Sequence, residues 1–516
     1  MKILYFITIL FFCIAFLHFE HFYPWMTYDS EKFIFYLFTI IFLHFSIKNQ
    51  NKIKINTIVF FLVLLFIISL NSYQYYLFDQ YFIVFNIYLL NLIILSVVLC
   101  NFDYERDQLL DVILIGLVFS GTISAILSIY QWLGFAQDSI FVYKSGGSRF
   151  YANLAQPNHL STLLMLSILS CVYIFNKFNL KLILFFIPLL LFSLVLTQSR
   201  SAGLALIIIV IIVFIKWKII ERSIKFILFS LIPLYFGIAE LLSRINQKID
   251  IVERMSGSFE RLAIWQDFFS VFSHLGLLGT GWKNIEYYQF QYGSNFSGYL
   301  SSYHNIFFDL VVIFGMFGGV FFTYLFFKIL VLFFRLNTTT DFIVFLMLFV
   351  LINHSLLEFP LFYSYFLFLF CILYFYLGEK YSNYVFNLSV NRLVFLISSI
   401  LVIGLSFLYT HSFEKNRSNY RAAFLGYCVP KLGEDILFDE FNNLAFINCK
   451  ENISLKNISY FESGLLSRPS SNNILRLIYV YHQVGLHKKR DQLLKKYNAR
   501  YLPQYNLNDV LKMKFY

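Results

Sequence analysis

Four short stretches set arginines, a histidine and amide side chains against long apolar runs, where polar groups are costly unless a partner or ligand compensates them. The first runs from Arg149 to Gln156-Pro157-Asn158, and the second is Thr197-Gln198-Ser199-Arg200. The third holds Arg254 and Arg261 through Trp265 and leads to Gly279-Thr280-Gly281-Trp282; the fourth is Ser301-Ser302-Tyr303-His304-Asn305. A guanidinium offers a planar fork of donors that fits phosphate oxygens two at a time. A single arginine at an apolar boundary is explained as well by snorkelling to lipid phosphates. Four on one side of a membrane (Arg149, Arg200, Arg254 and Arg261) suit a pyrophosphate better. His304 has the side chain whose ordinary pKa lies nearest neutrality, so beside Asn305 it is a candidate to accept a proton from an attacking hydroxyl. A lone histidine is more often structural, and it is the company that raises this one. His354 and Glu358 stand four residues apart, on one helical face, and are expected to brace each other or His304.

Other chemistries find no footing. There is no P-loop, no GxGxxG and no HExxH. Asp79, Asp138 and Asp309 are scattered, so no metal site and no cofactor are expected, and arginine-and-histidine chemistry requires neither. Basic residues are not interleaved with aromatics in a stripe, so nucleic acid is not an expected partner.

These side chains must be positioned by membrane helices. Of 516 residues, 59% are hydrophobic and only 13% charged, about half the charge of a soluble domain. Apolar runs long enough to cross a hydrocarbon layer recur through the first 410 residues. The reading is an all-α polytopic bundle with about thirteen spans near 3–19, 33–47, 56–71, 81–100, 109–133, 159–176, 180–197, 202–219, 224–243, 304–327, 340–357, 360–378 and 393–410. With the N-terminus inside, short inner connections hold fifteen Lys/Arg and short outer ones four, which supports that orientation and an external C-terminus. Residues 1–243 and 304–410 are then the two helical blocks. Between them lies a large outer loop, 244–303, and a small helical tail follows, 411–516. Loop residues Phe259–Ser273 alternate apolar positions with Glu260, Arg261 and Asp267, the pattern of a helix at the membrane surface.

The tail carries 16 Lys/Arg against 9 Asp/Glu, a net +7, which suits anionic lipid headgroups. Within it, 472–483 and 486–497 read as two helices broken at Gly485: a plain hairpin or one tetratricopeptide-like repeat, which cannot bury its face alone. Cys428 and Cys449 are in the tail and would be able to pair in an oxidising compartment.

In order and spacing, Arg149…Gln156-Pro157-Asn158, Thr197-Gln198-Ser199-Arg200, Arg261…Trp265…Gly279-Thr280-Gly281 and His304-Asn305 followed by Gly315 resemble the O-antigen ligase superfamily. His21-Phe22-Tyr23-Pro24-Trp25 with Glu31, the stretch His354–Pro360 and the helical tail resemble its branch of bacterial O-linked protein oligosaccharyltransferases of the pilin-glycosylation type. The resemblance implies an enzyme of the bacterial inner membrane. It would move a glycan from an undecaprenyl-pyrophosphate carrier to a Ser/Thr hydroxyl of an acceptor protein such as a pilin, at the periplasmic face and without metal. It implies His304 as the catalytic histidine and arginines at 200 and 261, with 149 and 254 beside them, on the pyrophosphate. Gln156, Asn158, Asn305, His354 and Glu358 would support them. Rivals in the same class are ligation to a lipopolysaccharide core and O-antigen polymerisation. A transporter or lipid flippase would be expected to show internal repeats and charge at the bilayer midplane, and neither is seen.

Overall fold

The computed structural model describes the chain except residues 1, 22–24, 49–51, 102–105, 143–148, 246–259, 295, 297, 382–387, 430–435 and 516. The architecture is all-α. The described strands are one antiparallel pair, Lys52–Ile55 with Leu388–Asn391. Seven described helices are long and apolar enough to span a membrane, and five shorter apolar helices accompany them. The chain is a polytopic membrane protein.

The first block contains α1 (Lys2–Leu17), α2 (Tyr28–Lys48), α3 (Thr57–Asn71), α4 (Asp79–Cys100), α5 (Arg106–Trp132), α6 (Pro157–Phe178), α7 (Phe186–Leu196), α8 (Arg200–Ile215) and α9 (Arg222–Ile245). Helix α6 is the buried centre. Pro157 occupies its first turn, where a missing N–H costs nothing, and the Gln156 side chain caps it by accepting from His159 N. It approaches α5 at Gly121, where an added Cβ would lie 2.1 Å from Ser167 Oγ. Without a hydrophobic force between helices in lipid, such small-residue contacts let backbones pack closely.

The second block departs from the sequence reading. The run 304–327, apolar on both sides of Gly315, is not one helix but α12 (Ile306–Phe314) and α13 (Met316–Arg335), parted at Gly315. There φ is 62°, and a Cβ would lie 2.1 Å from the Leu277 carbonyl oxygen. A break inside an apolar span leaves carbonyls without partners, which lipid cannot satisfy. The Gly279-Thr280-Gly281 segment supplies donors: Thr280 N donates to Val312 O at 2.9 Å and Gly281 N to Ile313 O at 3.0 Å, while Met316 N donates to Leu277 O at 3.1 Å. The loop between the blocks thus caps a half-helix. It contains α10 (Glu260–Phe272) and α11 (Asn284–Tyr292). Leu262, Phe269 and Phe272 of α10 are exposed, as a surface-lying helix requires, but Asp267, expected on the polar face, is fully buried. It accepts from Gln289 Nε2 at 2.9 Å and pairs with Arg500 of the tail at 3.6 Å.

Helices α14 (Thr339–Ser355), α15 (Ser364–Tyr381) and α16 (Arg392–Phe424) complete the bundle. Helix α16 continues unbroken through residue 411 into the tail, which adds α17 (Asp439–Ile447), α18 (Ile458–Leu466), α19 (Ser471–Gln483), α20 (His487–Arg500) and α21 (Leu507–Lys512). Gly485, with φ of 77°, turns α19 into α20. This hairpin buries Ile474, Ile478 and Tyr497 against Phe290 of α11, and its other face against Ile447, Phe461 and Leu465. Cys428 and Cys449 are joined in a disulfide. The tail is tied to the bundle at Asp439, whose carboxylate accepts from the first amides of α4, Asp79 N and Gln80 N, groups with no partner inside their own helix.

Candidate active site

Glu358 sits in the turn between α14 and α15, with its side chain 11% exposed. Its Oε1 accepts from Arg261 Nη2 at 3.1 Å and from Asn158 Nδ2 at 3.1 Å; its Oε2 faces His304 Nδ1 at 3.2 Å. Burial opposes its charge, but the hydrogen bond and charge of His304, then of His354 and Arg261, outweigh burial and hold the carboxyl down to about 2. It is a carboxylate at any physiological pH.

From Asn158 the network continues. Asn158 Oδ1 accepts from Arg149 Nη2 at 2.6 Å and from Ser199 Oγ at 3.1 Å, and Arg149 Nε donates to the Thr197 carbonyl at 3.0 Å. Arg200, half-buried, opens α8 directly after Ser199. The first, second and fourth polar stretches therefore meet, joined by Arg261 from the third. Arg254 lies outside the described residues. Gln156 acts through its cap on α6, and Asn305 through a similar cap on α12, accepting from Phe307 N at 3.0 Å.

His304 is held in an unusual backbone state, with φ of 52°, which few residues other than glycine adopt. Asp309, one turn into α12, fixes the loop: it accepts from Tyr303 N at 2.8 Å and from Ser302 Oγ at 2.6 Å, and Ser302 Oγ accepts from His304 N at 3.0 Å. The imidazole meets Phe359 edge to face with centroids 5.4 Å apart, and the side chain is 28% exposed. With Nδ1–H donated to a carboxylate, Nε2 carries the lone pair, which is the tautomer a general base requires.

His354 and Glu358, expected to brace each other or His304, have different contacts. Glu358 braces His304, whereas His354 Nδ1 meets Thr162 Oγ1 at 2.7 Å. The sequence reading missed Thr162, which lies one turn beyond Asn158 on the same face of α6, and His159, whose ring meets Tyr363 edge to face with centroids 4.4 Å apart. A polar residue recurring four positions after Asn158 was the available signal. The His21…Glu31 stretch lies beside the cluster's supports: His21 Nε2 contacts the Asn153 carbonyl at 2.8 Å, and Glu31 accepts from Trp25, Thr27 and Tyr88.

A cavity of about 660 Å³ opens beside the cluster. Ser301, Ser302, Ser355 and Phe359, the neighbours of His304 and Glu358, line it, and its depth is formed by apolar side chains such as Leu325, Ile329 and Phe370. Two groups of three potential metal-ligating side chains occur among the described residues, His18-Glu20-Asp29 and Cys428-Cys449-Glu451, and neither includes a residue of the cluster. In the first, Asp29 already pairs with Arg417 at 2.6 Å and Lys32 at 3.3 Å; in the second, the cysteines are oxidised.

Three protein families match parts of the chain: O-Antigen ligase over residues 183–323, Virulence factor membrane-bound polymerase, C-terminal, over 342–513, and Protein glycosylation ligase over 151–175. Asn158, Arg200, Arg261, His304 and Glu358 all fall inside these matches. Among curated proteins, a General O-oligosaccharyltransferase of Acinetobacter baylyi is 26% identical over 377 residues, covering 69% of this chain and 66% of the relative. A ComP-specific O-oligosaccharyltransferase of the same organism is 29% identical over 259 residues, covering 48% of this chain and 47% of the relative. The matches thus span just under two thirds of one relative and about half of the other. No solved structure matches.

Proposed function

This chain belongs to the O-antigen ligase superfamily, close to the O-oligosaccharyltransferases, and from that premise we propose that it transfers a glycan from a lipid-pyrophosphate carrier, of the undecaprenyl kind, to a protein hydroxyl. The observation that carries the reading is Glu358, which binds an imidazole, a guanidinium and an amide from three other segments of the chain. In the reaction the acceptor oxygen attacks the anomeric carbon of the first sugar, and the bond from that carbon to the pyrophosphate oxygen breaks. The acceptor proton passes to His304 Nε2 while Glu358 holds Nδ1 and stabilises the imidazolium that forms. Arg261, Arg200 and Arg149 contribute three positive charges to this end of the bundle, beside the carboxylate of Glu358. Their excess charge suits the diphosphate as its negative charge grows, a preorganised electrostatic role. The sequence resemblance adds Arg254, outside the described residues, as a further candidate. No step calls on a metal.

Membrane orientation follows the same reading. The basic asymmetry of the short connections and the Cys428–Cys449 disulfide both favour a bacterial inner-membrane protein whose site and tail face the periplasm. The match to Protein glycosylation ligase and the names of the two relatives favour a protein acceptor, for which the sequence resemblance suggests a pilin. The family match over 342–513 supports a second reading, glycan polymerisation, in which the acceptor hydroxyl belongs to another carrier-bound sugar.

Co-expression with a glycan pathway and a pilin-like acceptor, read by intact mass, separates these readings. Transfer to protein gives an acceptor heavier by a whole glycan, and replacing His304 by Ala should abolish that mass while the chain stays in the membrane. An unmodified acceptor with lengthened carrier-bound glycan would replace the first reading by the second.

A further inference from the structure

We propose that the tail-side mouth of the large cavity is a saccharide subsite that selects the first sugars of the carrier-bound glycan; this rests on the transfer reading above. Two residues of the tail, Glu440 and Arg468, line the same cavity as Ser301 and Ser302, so the tail is part of the cavity wall. The Glu440 carboxylate is fully buried and receives Arg468 Nε at 3.0 Å and Nη2 at 3.5 Å, and the guanidinium lies 4.9 Å over the ring of Phe424. Lys283, which also lines the cavity, pairs with Glu286 at 3.3 Å and lies 5.5 Å over the ring of Trp282. Gln80, at the start of α4, also lines the cavity; it is 5% exposed, and its side-chain oxygen has no hydrogen-bond partner among the described residues. A buried amide oxygen without a donor costs free energy that a ligand's hydroxyl would recover.

Charge balance decides which ligand. At Glu358, Arg261 contacts the carboxylate and Arg149 is joined to it through Asn158, so cations outnumber this anion, as suits a diphosphate. At this mouth each cation has its own anion, Lys283 with Glu286 and Arg468 with Glu440, so there is no excess charge to attract phosphate. What remains is a set of fixed donors and acceptors beside aromatic side chains, Trp25 and Trp282. A neutral polyhydroxyl compound, with alternating hydroxyls and C–H faces, matches that set. The apolar depth of the same cavity would leave such a head at the mouth.

The test is a competition. The purified full-length chain receives two lipid-pyrophosphate donors that carry the same glycan except for their first sugar, together with one acceptor protein, and the ratio of the two products is read by mass. Glu440→Gln and, separately, Gln80→Leu should change that ratio by about tenfold, the order expected when one hydrogen bond to a substrate hydroxyl is lost. The KM for the acceptor should stay at the wild-type value. An unchanged ratio in both variants overturns the proposal, as does a rise in acceptor KM with the ratio intact, which would assign the mouth to the acceptor chain. Gln80→Leu removes no ion pair, so loss of folding in Glu440→Gln leaves the test standing. If the wild-type chain transfers neither donor, the transfer reading fails instead, and that result is distinguishable from an unchanged ratio.

Discussion

Glu358 is the residue on which the site converges, and its ionisation gives a test of its own. Its pKa, about 2 in the fold against the usual 4.5, means that between those values the unfolded chain binds a proton that the folded chain does not. The stability it contributes is therefore present in full above about pH 4.5 and is lost as pH falls toward 2. In detergent, the melting temperature of the wild-type chain should drop more between pH 5 and pH 3 than that of Glu358→Gln; equal drops would mean that the carboxylate is not stabilised by its partners. Glu358→Ala leaves Arg261 and His304 without their shared anion in a largely buried place, and should cost about 3–5 kcal/mol. At this scale the sequence was informative about residue types and silent about pairings. With only 13% of the chain charged, arginines beside apolar runs stand out. That Asn158 and Arg261 share one carboxylate oxygen depends on contacts across 200 and 97 positions, which no local pattern encodes.

Among the elements, the broken span is what places His304. Its loop leads into α12, a half-helix of nine residues, and the carbonyls at the far end of α12 are satisfied by Thr280 and Gly281. Replacing Gly315 by Ala combines a left-handed φ with a contact of 2.1 Å to a carbonyl oxygen. It should destabilise the chain by more than about 2 kcal/mol and lower transfer without touching a site residue; a melting curve and the acceptor assay, read together, check both. Hydropathy was blind to this break because residues on both sides of Gly315 are apolar, so one long helix was the natural reading of 304–327. The amphipathic pattern of 259–273 did mark a helix. Asp267 misled for a physical reason: its polarity pointed to solvent, but Arg500 of the distant tail covers it. The break at Gly485, by contrast, was local and was legible from the sequence.

For the whole molecule, the tail reads as a working part of the bundle and not as an appendage. It is attached through Asp439 on α4, Arg500 on Asp267 and the hairpin on Phe290, and its Cys428–Cys449 bridge closes a short loop, with the two cysteines 21 positions apart. In the chain-entropy account a loop of that size contributes about 3 kcal/mol. Replacing both cysteines by alanine should lower the melting temperature, and added reductant should lower it in the wild type but not in the double variant. If the site faces the periplasm, an alkaline phosphatase domain fused after Tyr516 should be active in cells; an inactive fusion would place the tail inside and remove the site from the compartment the mechanism requires. The all-helical membrane class was legible from composition alone, because a chain this poor in charge has few other ways to satisfy its backbone in lipid. The way tail, loop and bundle share one cavity was not, since it arises from packing between segments hundreds of residues apart.

The coupling of His304 to Glu358 is the centre of the account, and a double-mutant cycle on the transfer rate measures it. His304→Ala should slow transfer by about 10²–10⁴-fold, the range of a general base. Glu358→Gln should slow it by a smaller factor, and the double variant should be no slower than His304→Ala alone, because the carboxylate acts through the imidazole. Losses that multiply in the double variant, or a His304→Ala chain that transfers at the wild-type rate, would contradict it.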